Sequence, residues 1–247
     1  MRLRTIGGLW IEGEAPRAPL GPRPLGLLAL VAAAGKQGIT RERAVGILWA
    51  DTDEDQARHA LSQTLYRLKR DSGRDWFSPS AKLRLDPSVS SDIGAFHEAL
   101  AAGDLETATG LYTGAFLEGF YLPGAPEFER WVEEERDRLH HEALRALERL
   151  AVRSDESRQL PEAVRSWHRL TQLDPLSARY AMGYMRALAA VADRPRALAH
   201  ANLYRETVRR ELDTEPDPAV RQLEAALRSP QPEVRGEPPA PTEPALL

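Results

Sequence analysis

The feature that most constrains this chain is a repeat. Ala163, Trp167 and Leu170 recur as Ala197, Ala201 and Tyr204, an offset of 34 residues, and Gly103-Asp104 with Ala108 and Tyr112 echoes the same local spacing. Within each set the residues stand three or four apart, so they share one face of a helix. Small residues in the set let two helices approach closely, and Asp174-Pro175 follows the second helix of the pair, because the residue before a proline is driven out of helical backbone. A helix pair of this length cannot bury its apolar face alone and needs neighbours stacked against it.

The rest of the chain from Val89 onward follows suit. Asp92 is placed to cap IGAFHEALAAG and Asp104 to cap LETATGLYTG. Pro126 opens a long helix with Phe128, Trp131, Val132, Leu139, Ala143, Leu147 and Leu150 as its buried stripe. Helices over 160–173, 175–191 and 196–212 follow, with a last short one from Pro218. The spacing and the Asp-Pro stop are those of a tetratricopeptide-like repeat, which presents a surface to protein partners. Residues 229–247 hold six prolines without periodicity and read as a disordered tail or linker.

The front of the chain is different in kind. Residues 1–14 alternate weakly around Gly7-Gly8, which predicts short strands and a turn, and residues 17–23 form a Pro/Gly-rich loop. Pro24 begins a first helix with Leu27, Leu28, Leu30 and Val31 inward and Gly35 as its stop, and Ile39-Thr40 caps a second that ends at Trp49. In the third, Ala57, Leu61, Thr64, Leu65 and Leu68 form the inward stripe. His59, Gln63, Tyr66 and Arg70 then point the other way, flanked by Ser62, Arg67 and Lys69. Thr52 is the expected cap and Gly73 the stop. The run WFSPSAKLRLDP reads as a hairpin carrying Lys82 and Arg84.

A helix whose outer face mixes hydrogen-bonding, cationic and aromatic groups carries the residue types that read base edges and phosphates. The plainer reading is a solvated face. Charge distribution bears on the choice. Residues 1–85 carry 14 Lys+Arg against 9 Asp+Glu, and residues 86–247 carry 19 against 28; the balances of +5 and −9 make up the −4 of the whole chain. A basic front on an acidic back suits a DNA-binding part joined to an interaction part. Three helices and a basic hairpin, with the third helix most polar outside, follow the order of a winged helix-turn-helix. The fold class expected is therefore mainly α: an α+β winged helix-turn-helix over 1–88, then an all-α tetratricopeptide-like part over 89–228.

Several chemistries find no support. With no cysteine the chain has no disulfide, thiolate metal site or thiol nucleophile. The histidines show no metal-ligand spacing, no Gly-rich phosphate loop follows Gly7-Gly8, and no catalytic set can be singled out, so an enzyme, a cofactor and a metal are not expected. No apolar run reaches the 18 or so residues of a membrane span, and the start lacks the pattern of a cleaved signal, so a cytoplasmic protein is expected. Phe116, Phe120 and Tyr121 around Gly114 and Gly119 read as a packed aromatic corner, with a ligand pocket as the alternative.

Read together, LLALVAAAGKQGITRERAVGILWADTDEDQARHALSQTLYRLKRDSG, LRLDPSVSSDIGAFHEAL, GDLETATGLYTGAFLEGFYLP, PEFERWVEEERDRL, LDPLSARYAMGYMRAL and TEPDP resemble the bacterial transcriptional activator domain family, which includes the Streptomyces antibiotic regulatory proteins. The resemblance covers about residues 1–225, and GAFLEGF with FERWVEEER is its most distinctive pairing. It implies a transcriptional regulator with an OmpR-type winged helix and a helical activator domain for dimerisation. It makes His59, Ser62, Gln63, Tyr66, Arg67 and Arg70 the candidate contacts to double-stranded DNA, and Lys82 and Arg84 the wing contacts. The loop holding Asp51, Thr52, Asp53 and Glu54 matches the segment that can touch RNA polymerase in OmpR-like activators. The hairpin departs from that pattern, with Lys82-Leu83 where a Gly-Tyr pair is common. A homodimer is the expected assembly. The alternative is a tetratricopeptide scaffold whose winged helix no longer binds DNA.

Overall fold

The computed structural model describes residues 1–13 and 19–229, so the loop expected at 17–23 is seen only in part and the tail expected from 229 lies almost wholly outside them. Among the described residues the elements run β1 (Arg2–Arg4), β2 (Trp10–Glu12), α1 (Pro22–Ala34), α2 (Arg41–Leu48), α3 (Glu54–Ser72), β3 (Ser90–Ser91), α4 (Asp92–Ala102), α5 (Leu105–Leu111), α6 (Pro126–Glu156), α7 (Leu160–Leu173), α8 (Ala178–Ala190), α9 (Arg194–Leu212) and α10 (Pro218–Arg228). The protein is mainly α with a small α+β part at its N-terminal end. It packs as two compact units, the first comprising Met1–Ser157 and the second beginning at Arg158.

In the first unit the sheet order is β2-β1-β3, with β1 antiparallel to β2 and parallel to β3. Strands do not stop at Val89, as the pattern suggested: Ser90 and Ser91 form β3, and two polar residues are too few to show a period of two. Gly7 and Gly8 turn the chain at φ +80° and +131°. A Cβ on Gly114 would stand 2.9 Å from the Gly7 Cα, so two glycines face each other where the chains cross.

Asp92 does not cap α4. Ser91 takes that place and accepts the Gly94 N–H at 3.1 Å. Asp92 is buried and turned back on the residues just after β1, where Thr5 N–H (2.9 Å), Thr5 Oγ1–H (2.7 Å) and Ile6 N–H (3.0 Å) donate to its carboxylate. The burial of a charge is tolerable here because several donors and the N-terminal end of α4 surround it.

The two motifs most distinctive in the sequence meet in space. Phe116 and Leu117 are fully buried, Phe116 lies edge-on to Trp131 (5.7 Å), and Phe128 sits 5.4 Å from the same indole. Leu117 takes a left-handed backbone (φ +49°), and Arg136 on α6 donates to the Phe116 (2.7 Å) and Leu117 (2.9 Å) carbonyls. The aromatic cluster is thus a packed corner, with Tyr121 at its exposed edge. The predicted α6 stripe, Phe128, Trp131, Val132, Leu139, Ala143, Leu147 and Leu150, is buried throughout.

In the second unit all six repeat positions are buried. α7 packs on α8 and α8 on α9. α7 and α8 come close at Gly183, where a Cβ would stand 2.4 Å from the Trp167 ring. α8 starts three residues later than its proline suggested, because residues 174–177 form a turn and Ser177 caps the helix through the Tyr180 N–H.

Candidate nucleic-acid interface

α3 is built as its spacing requires. Ala57, Leu61, Thr64 and Leu68 are buried and Leu65 is half-buried, and the Thr64 hydroxyl is satisfied by the Ala60 carbonyl at 2.8 Å. Its cap is Asp53 rather than Thr52: the Asp53 carboxylate accepts from the Asp55 (3.1 Å) and Gln56 (3.4 Å) N–H groups. Gly73 ends the helix in left-handed backbone at φ +74°. α2 is capped by the Thr40 hydroxyl, and Thr52 N–H returns to the Trp49 carbonyl (3.0 Å) to make the turn between α2 and α3.

Residues 76–86 fold back as a narrow hairpin. Ser78 N–H donates to the Arg84 carbonyl (3.0 Å) and Asp86 N–H to that of Trp76 (2.8 Å), with a bridge between Phe77 and Leu85. The returning arm also pairs with the segment between α1 and α2, where Ile39 and Leu83 exchange N–H···O bonds of 3.0 and 2.8 Å. Gly38, at φ +64°, makes room for this: a Cβ there would meet the Leu83 carbonyl at 2.8 Å and the Arg84 Cγ at 2.5 Å. The Arg84 stem therefore lies across Gly38, its position set by backbone contact.

Between α3 and the hairpin runs an open groove of about 450 Å³, lined by Leu65, Tyr66, Trp76, Pro79 and Leu83, with Arg41 at the start of α2. Sequence reading passed over Arg41, although a cation directly after a helix cap was a signal for it. On the outer face His59, Ser62, Gln63, Tyr66, Arg67 and Arg70 are all exposed, Tyr66 to 66%. Lys82 and Arg84 are exposed on the hairpin.

Their commitments differ. Arg70 pairs with Asp71 at 2.6 Å, and that hydrogen bond holds its guanidinium above the ordinary range. Lys69 pairs with Asp75 (2.9 Å) and Arg58 with Glu54. Arg67, Lys82 and Arg84 make no ion pair among the described residues. Ser62 donates back to the Arg58 carbonyl (3.0 Å), and Gln63 meets His59 at 2.7 Å. In the α2–α3 turn Asp51, Asp53 and Glu54 are exposed and Thr52 is half-buried, but Asp53 serves the helix cap and Glu54 serves Arg58.

No group of three or more His, Cys, Asp or Glu residues that could hold a metal occurs among the described residues, and no described helix is long and apolar enough to cross a membrane.

The geometry defines a mainly helical protein whose N-terminal part sets a polar helix face beside a small hairpin, followed by stacked helices that repeat at 34 residues. The family model described as bacterial transcriptional activator domain matches residues 89–228, and the chain belongs to that family. Among solved structures it is similar to "Mycobacterium tuberculosis EmbR in complex with low affinity phosphopeptide", with a TM-score of 0.57 and 17% sequence identity over 92% of this chain. At that identity the likeness speaks to the fold, and the chain spans 64% of that relative's length. No curated protein matches the sequence.

Proposed function

We propose that this protein is a DNA-binding transcriptional regulator, an activator, with an OmpR-type winged helix-turn-helix over residues 1–88 and an activator domain over 89–228. In this reading α3 enters the major groove, the hairpin follows the flanking backbone, and Arg67, Lys82 and Arg84 meet phosphates. The observation that carries it is the groove between α3 and the hairpin, which Lys69 of α3 and Arg41 at the start of α2 border, with the hairpin held by the pairing of Ile39 with Leu83. Arg70 and Lys69 join Arg67, Lys82 and Arg84 by exchanging a neighbouring carboxylate, Asp71 or Asp75, for a phosphate.

A single such unit reads few base pairs, so selectivity calls for two copies on adjacent half-sites about one helical turn apart. The homodimer is assigned to residues 89–228, and contact with RNA polymerase to Asp51 and Glu54, with Thr52 and Asp53 shaping that turn. A second reading, a protein-interaction scaffold, is favoured by the pairing of Arg58, Lys69 and Arg70 with neighbouring acids. Equilibration of the full chain with a pool of random-sequence duplexes separates the two: a regulator retains a subset of sequences, and a scaffold retains none. Sedimentation of the full chain at micromolar concentration tests the dimer.

A further inference from the structure

On the outer face of α3 the amide nitrogen of Gln63 lies 2.7 Å from Nε2 of His59, one turn earlier. With its amide nitrogen facing the ring, Gln63 donates this hydrogen bond and His59 accepts it through Nε2. One of the two amide N–H bonds is then occupied. What Gln63 still offers outward is one acceptor, Oε1, and one donor, the second N–H.

Adenine presents in the major groove the matching pair, an N6 amino donor and an N7 acceptor, whereas guanine presents two acceptors, O6 and N7. A free glutamine amide could turn both N–H groups toward guanine. An amide tethered through one N–H cannot. We propose that His59 is a positioning residue, which tethers the Gln63 amide so that α3 selects adenine over guanine at one base pair. This rests on the reading of α3 as the recognition helix and gives His59 a role other than direct contact with DNA.

The surroundings suit that role. Both side chains are exposed, so neither is needed for the core. Ser62 is turned away onto the Arg58 carbonyl, and Arg58 is held by Glu54, so neither competes for the Gln63 amide. A side chain held by this contact before binding has less freedom to lose on binding.

The test uses the full chain. A preferred site is selected from random-sequence duplexes, and each of its adenines is then replaced by guanine. The wild type is expected to disfavour guanine about 5- to 150-fold at one position, and Gln63→Ala to abolish that preference. His59→Ala should lower it about 2- to 12-fold, the range for freeing one such side chain. His59→Gln should restore it, because its Oε1 can accept the same N–H. Discrimination unchanged in His59→Ala, or lost equally in His59→Gln, overturns the inference while leaving DNA binding standing. No duplex binding by the wild type overturns both.

Discussion

The hydroxyl of Thr5 donates to the carboxylate of Asp92 across 2.7 Å, joining the residue that follows the first strand to the start of α4. The Thr5 and Ile6 amides meet the same carboxylate, so the N-terminal strand depends on a residue 87 positions away. The family match begins at residue 89, yet the residues before and after that point share one compact unit.

Asp92→Ala is expected to be among the most damaging single changes in the first unit. It leaves buried donors on Thr5 and Ile6 without an acceptor, at about 1–3 kcal/mol for each group left unpaired. Chemical denaturation checks the loss. Asp92→Asn should fall between it and the wild type, since one oxygen still accepts. A fragment over 1–157 should fold, and one over 1–88 should not.

Gly38→Ala should weaken DNA binding without touching a DNA contact. Alanine at φ +64° is strained, and its methyl would drive against Leu83 and Arg84. The hairpin is expected to shift away from α3 and the loss in affinity to follow that of Arg84→Ala, as measured by anisotropy on one duplex.

Gly183→Ala should destabilise the second unit by about 1–3 kcal/mol, the range for overpacking a close contact. The added carbon would lie inside the contact distance of the Trp167 ring. Trp167→Leu with Gly183→Ala should recover part of the loss, and a thermal melt of the double variant measures it.

Burial, and then the neighbouring His168, push His200 down from 6.5 to about 4. Its Nε2 is buried without a partner among the described residues, and Tyr184 packs 4.8 Å from its ring. Because the folded state holds this imidazole neutral, the unfolded chain binds more protons between pH 6.5 and about 4. Stability should therefore fall as pH drops through that window and level off below it. The Tm of His200→Gln followed from pH 7 to 4.5 should show a weaker decline than the wild type.

Much of this was readable from residue spacing. The inward stripe of α3, the long stripe of α6 and the six repeat positions are all one-face patterns, and burial follows them. Gly73 and Thr40 were legible because a cap is local chemistry. Asp92 was not, since its place one residue before an apolar helix suits a cap, while its true partners lie at residues 5 and 6. The same holds for Gly38 and Gly183, whose need for glycine comes from side chains brought up by the fold. On the candidate interface, spacing indicated which side chains face outward, but the pairing of Arg70 with Asp71 and the tether of Gln63 to His59 required coordinates.

The central claim is that the α3–hairpin face neutralises DNA phosphates. It is tested most directly by the salt dependence of duplex binding for the full chain and for Arg67→Ala/Lys82→Ala/Arg84→Ala. Each lost phosphate contact lowers the slope of log K against log salt by about 0.9, so the triple variant should lose about 2.7 from the wild-type slope. An unchanged slope with unchanged affinity would contradict the account.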